Sequence, residues 1–250
     1  MRVLILGGSS EASRLAARLA EEKGFAPILS LAGRTRDPSP PPIPYRIGGF
    51  GGAAGLAAYL SAERIDCLID ATHPFAERMS ANAEEAAAAT GTPLFVFTRP
   101  PWTPGPGDRW IECSSAGEAA QALGSASRRV FLTVGRLQLA AFEAAPQHDY
   151  LIRTIDPPHP APALPRWRLI LARGPFGVEA ETQLMRAEGI EILATKNSGG
   201  EATRAKLDAA RALGLDVILI RRPPAARATT VYTIDAAMAF LRAERHRASP

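Results

Sequence analysis

Arg2-Val3-Leu4-Ile5-Leu6-Gly7-Gly8-Ser9-Ser10-Glu11-Ala12 is the stretch that decides the fold. Four consecutive apolar residues, Val3 to Leu6, show no alternation. They predict a strand buried on both faces, as in a parallel sheet. The glycines and serines then make a turn, and a helix follows over 10–23. Leu15, Leu19 and their alanine neighbours form its buried stripe.

The pattern repeats outward from this unit. Further strands are expected at 27–31, 66–70 and 94–98, with helices at 51–63 and 75–90. Strand, helix, strand in this order gives right-handed βαβ units. Pro100-Pro101-Trp102-Thr103-Pro104-Gly105-Pro106-Gly107 interrupts the series. Proline restricts itself and the residue before it, so this stretch is neither helix nor central strand. A second series follows, with strands at 129–134, 150–153, 168–172, 191–195 and 216–220. Its helices are expected at 136–145, 177–188, 200–213 and 235–245. The reading is therefore an α/β protein with mainly parallel sheets. It has an N-terminal domain over 1–100, a linker and boundary region over 101–128, and a C-terminal domain over 129–250. The Pro-rich runs at 38–44 and 157–165 are expected as stiff surface loops.

The chain has 250 residues, 46% hydrophobic and 22% charged. That is globular composition and excludes a disordered chain. No run of about 18 apolar residues is present, which excludes a membrane helix. Glu11 follows the first apolar run too closely for a signal peptide, so a cytoplasmic domain is expected. Cys67 and Cys113 are too few for a disulfide scaffold. With four scattered histidines they make no metal-ligand pattern, and no metal is expected. His148, His159 and His246 are expected to be solvated.

The net charge is +4 and the isoelectric point is near 9.4. A basic balance suits nucleic acid, phosphate or a polycarboxylate, and equally a genome that uses arginine freely. The charges form no Lys/Arg cluster, and no basic and aromatic residues interleave. Nucleic acid is therefore not expected.

In open parallel sheets, ligands bind beyond the carboxyl ends of the strands. Gly7, Gly8, Ser9 and Ser10 stand at the first such end, where free N–H groups meet a phosphate. A plain βα turn is the other reading, because Glu11 breaks the G-x-G-x-x-G pattern. After the second strand, Arg34 and Thr35 stand where an NAD site would place an acid. A guanidinium there suits the 2′-phosphate of NADP; a solvated loop arginine is the alternative. Arg46-Ile47-Gly48-Gly49-Phe50-Gly51-Gly52 either admits a flat or anionic ligand or simply bends before a helix. Asp70-Ala71-Thr72-His73-Pro74-Phe75 offers His73 for proton transfer, or Thr72 as a helix cap.

In the second half, Gly135 and Arg136 mark another strand-to-helix turn, and Arg173-Gly174-Pro175-Phe176 a further one. Thr195-Lys196-Asn197-Ser198-Gly199-Gly200 places a cation, polar side chains and N–H groups together, which makes an anion site. No P-loop and no G-x-S-x-G elbow occurs, so phosphoryl transfer and serine nucleophiles are not expected.

Together, LILGGSSEA, GRT, RIGGFGG, LIDATHPFA with MSANA, TRPPW, FLTVGR, RGPF and TKNSGGEATRAKLDAAR resemble the precorrin-6A reductase family of cobalamin biosynthesis. The resemblance runs from the N-terminus to about Arg222. It implies two Rossmann-like domains with a ligand cleft between them. It implies NADPH-dependent reduction of one double bond of precorrin-6A, or of its cobalt form, to give precorrin-6B. It also implies a polycarboxylate corrin precursor as substrate, handed over from neighbouring pathway enzymes. On this reading Gly7, Gly8, Ser9 and Ser10 hold the pyrophosphate, and Arg34 and Thr35 the 2′-phosphate. Gly135, Arg136, Gly174 and Phe176 frame the cofactor. Thr72, Arg99, Lys196, Ser198 and Gly199 meet the substrate, and His73 and Lys196 are the catalytic candidates. The alternatives are another NADP-dependent reductase of an acidic metabolite, and a nucleotide- or tetrapyrrole-binding protein without turnover.

Overall fold

The first strand, β1, covers Arg2–Leu6, with Val3 to Leu6 almost wholly buried. A computed structural model describes residues 1–33, 40–224 and 227–247. Arg34 and Thr35 lie outside the described residues.

The chain forms two compact units, Met1–Pro100 with Pro223–Pro250, and Pro101–Arg222. In the first, β1 is followed by α1 (Ser10–Ala20), β2 (Ala26–Leu31), β3 (Tyr45–Ile47), α2 (Ala53–Ala62), β4 (Cys67–Asp70), α3 (Glu77–Thr90) and β5 (Leu94–Phe97). The second contains β6 (Trp110–Cys113), α4 (Ala116–Ala122), β7 (Arg129–Thr133), a 3-10 segment (Arg136–Ala144), β8 (Asp149–Thr154) and β9 (Trp167–Leu171). It continues with α5 (Val178–Ala187), β10 (Ile192–Lys196), α6 (Ala205–Ala212) and β11 (Asp216–Ile220). Then β12 (Thr229–Val231) and α7 (Ile234–Arg247) return to the first unit.

Among the described residues both sheets have six strands, in the orders β3-β2-β1-β4-β5-β12 and β9-β8-β7-β10-β11-β6. Every pairing is parallel. This is the doubly wound order 3-2-1-4-5-6 in each unit. The sixth position is filled out of sequence both times, by β12 in the first sheet and by β6 in the second.

Alternation along β1 shows why two faces are covered. Val3 and Ile5 join Leu15, Leu19, Met238 and Leu241, from α1 and α7. Leu4 and Leu6 join Leu56, Leu60, Ala83 and Ala86, from α2 and α3. In the second unit, Phe131, Leu193 and Leu219 pack with Met185, Leu207 and Trp102.

The expected division needs two corrections. Residues 101–128 are not only a linker, because β6 and α4 lie within them. The C-terminal domain does not run to 250, because β12 pairs with β5 in the first sheet. His148 is also corrected. It is buried, with Nδ1 accepting from the Arg128 amide at 3.3 Å and its ring edge-on to Tyr150. Burial, the largest influence, pushes its pKa down.

Candidate functional site

In a doubly wound sheet the ligand crevice lies where the strand order reverses. That point falls between β1 and β4 in the first unit and between β7 and β10 in the second. The Gly7–Ser10 and Thr72–His73 turns stand at the first point and the Gly135–Arg136 and Lys196–Gly199 turns at the second, whereas Arg46–Gly52 and Arg173–Phe176 belong to the outer strands β3 and β9.

At the first point, Gly7 donates its amide to Ser30 O at 2.8 Å. A Cβ on Gly7 would come within 2.7 Å of a Leu29 methyl, so this glycine is required by packing. Gly8 has φ +111° and open space around it, so its glycine serves the backbone path and leaves room for a ligand. Ser9 caps α1, accepting from the Ala12 amide at 3.1 Å. Its hydroxyl proton goes to Ala71 O at 2.6 Å, tying the end of β1 to the end of β4. The Ser9 hydroxyl is thus spent on the turn and is not a donor to phosphate. Ser9→Ala should cost about 1–2 kcal/mol, as lost caps do, read as a lower urea midpoint.

Glu11, in the first turn of α1, is 4% exposed. It accepts from Arg99 Nη1 at 2.6 Å, and from Ser10 Oγ at 3.1 Å. Burial works to raise its carboxyl. The Arg99 guanidinium, with hydrogen bonds from its own backbone, Arg99 and Ser10, overrides burial and holds it below the ordinary value. Arg99 is therefore anchored at the mouth of the turn by a carboxylate that the sequence reading treated only as a pattern breaker.

The β4 end is ordered by Asp70. Its buried carboxylate accepts from the Thr72 amide at 3.0 Å and the Thr72 hydroxyl at 2.6 Å. Thr72 is not the cap of α3, which starts later than expected, at Glu77. His73 Nδ1 accepts from the Phe75 amide at 3.2 Å. The neutral ring therefore carries its proton on Nε2, the atom able to donate. The nearby RIGGFGG loop is organised by Arg46, which donates to Ser30 Oγ, Gly48 O and Gly49 O and lies over the Phe50 ring at 4.0 Å. Its glycines are needed for the bend itself: Gly48, Gly51 and Gly52 all have positive φ.

At the second point, Gly135 has φ +77°, and a Cβ there would lie 3.5 Å from Lys196 Nζ. The Lys196 ammonium thus stands directly over the β7 turn. Burial pushes its pKa down to about 8. Thr133 and Thr195, on the paired strands, share a hydroxyl hydrogen bond of 2.8 Å. Arg136 is exposed, 4.0 Å from Asp156. Ser198 donates its amide to Lys196 O at 2.7 Å, and Gly199 has φ +68°. Lys196, Ser198 and Gly199 are thus one local unit.

At the β9 end, the Phe176 amide donates to Ala202 O, and a Cβ on Gly174 would lie 3.0 Å from that carbonyl. The Phe176 ring is stacked by Arg153 at 3.8 Å. Arg153 in turn makes a bidentate pair with Glu181, at 2.5 and 2.9 Å. The Phe176 ring therefore rests on a buried ion pair that the sequence alone does not reveal.

Both switch points present turn or helix N–H groups, with Arg99, paired to Glu11, beside the first and the Lys196 ammonium over the second. Such sites suit phosphate and carboxylate. Cys67 and Cys113 are buried, and burial pushes the Cys67 thiol up to about 12, so neither is an activated nucleophile. Among the described residues, no group of three or more His, Cys, Asp or Glu could hold a metal ion, and no helix is long and apolar enough to cross a membrane.

The chain is 51% identical to a precorrin-6A reductase of Sinorhizobium sp, across 95% of this chain and 91% of the relative. It is 50% identical to a precorrin-6A reductase of Rhodobacter capsulatus, across 96% and 95%. A solved structure described as CobK precorrin-6A reductase superposes with a TM-score of 0.91 at 50% identity, across 98% of this chain and 97% of that one. The model of the family "Precorrin-6x reductase CbiJ/CobK" matches residues 2–242. With two doubly wound units and a family match over residues 2–242, the chain belongs to the precorrin-6x reductase CbiJ/CobK family.

Proposed function

We propose that this oxidoreductase reduces precorrin-6A to precorrin-6B with NADPH. The observation that carries the reading is half identity, over almost the whole chain, to relatives named precorrin-6A reductase. That level of similarity favours the metal-free substrate. The free, buried cysteines suit a reducing compartment, which supports placing the enzyme in the cytoplasm. Handover of the substrate from neighbouring pathway enzymes belongs to the same proposal.

The residues present fit a dinucleotide. The open space at Gly8 and the N-terminus of α1 suit a pyrophosphate. Gly7, Gly8 and Ser10 would hold it through backbone groups, with Ser9 fixing the turn. Arg34 and Thr35 are assigned to the 2′-phosphate on sequence grounds. Gly135, Arg136, Gly174 and Phe176, at the carboxyl ends of the second sheet, are assigned to the cofactor too.

When bound, NADPH supplies a hydride, and the conjugated macrocycle delocalises the developing charge. The chain's own work is to bind, orient and deliver a proton to the second carbon of the reduced bond. Lys196 is chiefly an ammonium at neutral pH, and it can neutralise a carboxylate or donate a proton. His73 can donate from Nε2. Thr72, Arg99, Ser198 and Gly199 are assigned to the substrate.

The test mixes purified protein with precorrin-6A and NADPH. It follows nicotinamide absorbance together with the corrinoid spectrum. Coupled loss of NADPH and a shifted spectrum is expected; a bound corrinoid without NADPH oxidation would leave a carrier. Arg34→Ala should raise the Michaelis constant for NADPH about tenfold or more, the scale of a lost charge-assisted contact. NADH use should change little. An unchanged NADPH/NADH preference removes Arg34 from the site.

A further inference from the structure

Within the Lys196–Gly200 turn the Ser198 amide bonds locally to Lys196 O at 2.7 Å. Gly199 and Gly200 have φ +68° and +74° and no side chains with which to pack. Left-handed glycines carry the largest conformational entropy to be lost. The turn is also pinned from outside, beginning with the Asn197 amide, which donates to Ile220 O at 2.8 Å.

The Asn197 side chain is buried. Its Oδ1 accepts from the Trp102 amide at 2.8 Å, and its Nδ2 donates to Trp102 O at 2.9 Å. Trp102 Nε1 donates to Gly200 O at 2.9 Å. Arg222 closes the set. Its Nε donates to Asn197 O and its Nη2 to Ser198 O, both at 2.9 Å. Trp102 and Arg222 lie at the two ends of the second unit, where the chain enters it and leaves it.

One guanidinium holding two successive carbonyls fixes two peptide planes. In a trans peptide the N–H points opposite the carbonyl. The Gly199 amide is therefore aimed away from Arg222. The Ser198 amide is already turned onto Lys196 O. The donor direction of the turn and the base of the Lys196 side chain are set by the same clamp.

We propose that Arg222 and Asn197 are positioning residues for the reaction. They hold the Lys196–Gly200 turn in the one shape that receives an anionic oxygen group. This rests on the assignment of Lys196 to the ligand site. The group is a carboxylate of the macrocycle or a phosphate of the dinucleotide, and the carboxylate is the one expected. Preorganised donors gain their value by needing no rearrangement when the ligand arrives.

The test measures both Michaelis constants, kcat and the Kd of NADP+ for Arg222→Gln, Arg222→Lys, Asn197→Ser and Lys196→Ala, with melting temperatures. Arg222→Gln should raise the precorrin-6A constant about tenfold, the scale of one lost hydrogen bond involving a charge. kcat should stay within about twofold, and NADP+ binding should hold. Arg222→Lys should recover part of the loss, since an ammonium reaches one carbonyl. It carries the test if the Gln variant does not fold. Asn197→Ser should move the same constant in the same direction. A rise confined to NADPH and NADP+ would support the clamp and place a phosphate in the turn. Unchanged constants in the Arg222 variants, with Lys196→Ala still impaired, would overturn the positioning role alone. Unchanged constants in Lys196→Ala as well would overturn the site assignment, and the clamp with it. A lower melting temperature with both constants unmoved would make Arg222 merely structural.

Discussion

Lys196→Ala should raise the Michaelis constant for precorrin-6A about a hundredfold, within the 2–5 kcal/mol typical of truncating a buried charge that meets a partner. The Nζ stands over Gly135 at the second switch point, where the strand order brings ligands. Burial disfavours the ammonium and pushes its pKa down to about 8. Below that pH the charge is present, and above it the charge is lost. In the native enzyme, kcat/KM should therefore fall as pH rises through about 8. Lys196→Arg keeps its charge to far higher pH and should lack that limb. Lys196→Ala should lack it too, from a much lower plateau. The fold should survive the change. A lysine whose folded pKa lies below its unfolded one costs stability while it is charged. That cost is present at neutral pH and recedes as pH rises through about 8. The alanine variant should thus melt no lower than the native chain at pH 7. An unaltered Michaelis constant and an unaltered pH profile would together reject Lys196 as a ligand group.

The central strands were legible because they are buried on both faces and read as continuous apolar runs. β1, β4, β7, β10 and β11 all fall within a residue or so of expectation. Three short strands were not legible, and all three are sheet edges: β3, β6 and β12. An edge strand has one neighbour and one half of its surface in water, so Tyr45-Arg46-Ile47 and Thr229-Thr230-Val231 carry little apolar signal. That single blindness explains the domain error. Without β12 in view, nothing in the sequence says that the chain returns to its first sheet.

The turns at the two switch points were legible for a different reason. Gly7-Gly8-Ser9, Thr72-His73 and Lys196 to Gly199 follow apolar runs directly, and the open-sheet rule points to such places. Their supports were not legible, because folding brings them from far away. Arg99 reaches Glu11 across 88 residues, and Trp102 reaches Asn197 across 95. Glu11 read as a flaw in a glycine pattern. In the structure it anchors Arg99 beside the turn. TRPPW held a clue, since a tryptophan 5% exposed in a proline-rich connection must be holding something.

The buried pair of Arg153 and Glu181 carries the largest expected effect on stability. Arg153 lies on β8 and Glu181 in the first turn of α5, and they are 8% and 2% exposed. The pair is bidentate, and the guanidinium lies over Phe131 at 4.8 Å and Phe176 at 3.8 Å. Glu181→Ala leaves an uncompensated guanidinium between two aromatic rings. The loss should be about 3–5 kcal/mol, the range for breaking such a pair. For a chain of this size that lowers the melting temperature by about 10 °C. Arg153→Met should cost a similar amount, because it strands the carboxylate. The two changes should not add. With Arg153→Met and Glu181→Leu together, both charges are gone and apolar volume replaces them. Stability should then return to within about 1–2 kcal/mol of the native chain. Urea unfolding of the four proteins closes that cycle. The same cycle reports on the site. Phe176 rests on the guanidinium, so Arg153→Met with Glu181→Leu should keep the fold yet raise the NADPH Michaelis constant severalfold. Single variants within about 1 kcal/mol of native would show that water reaches the pair and that the aromatic stack does not seal it.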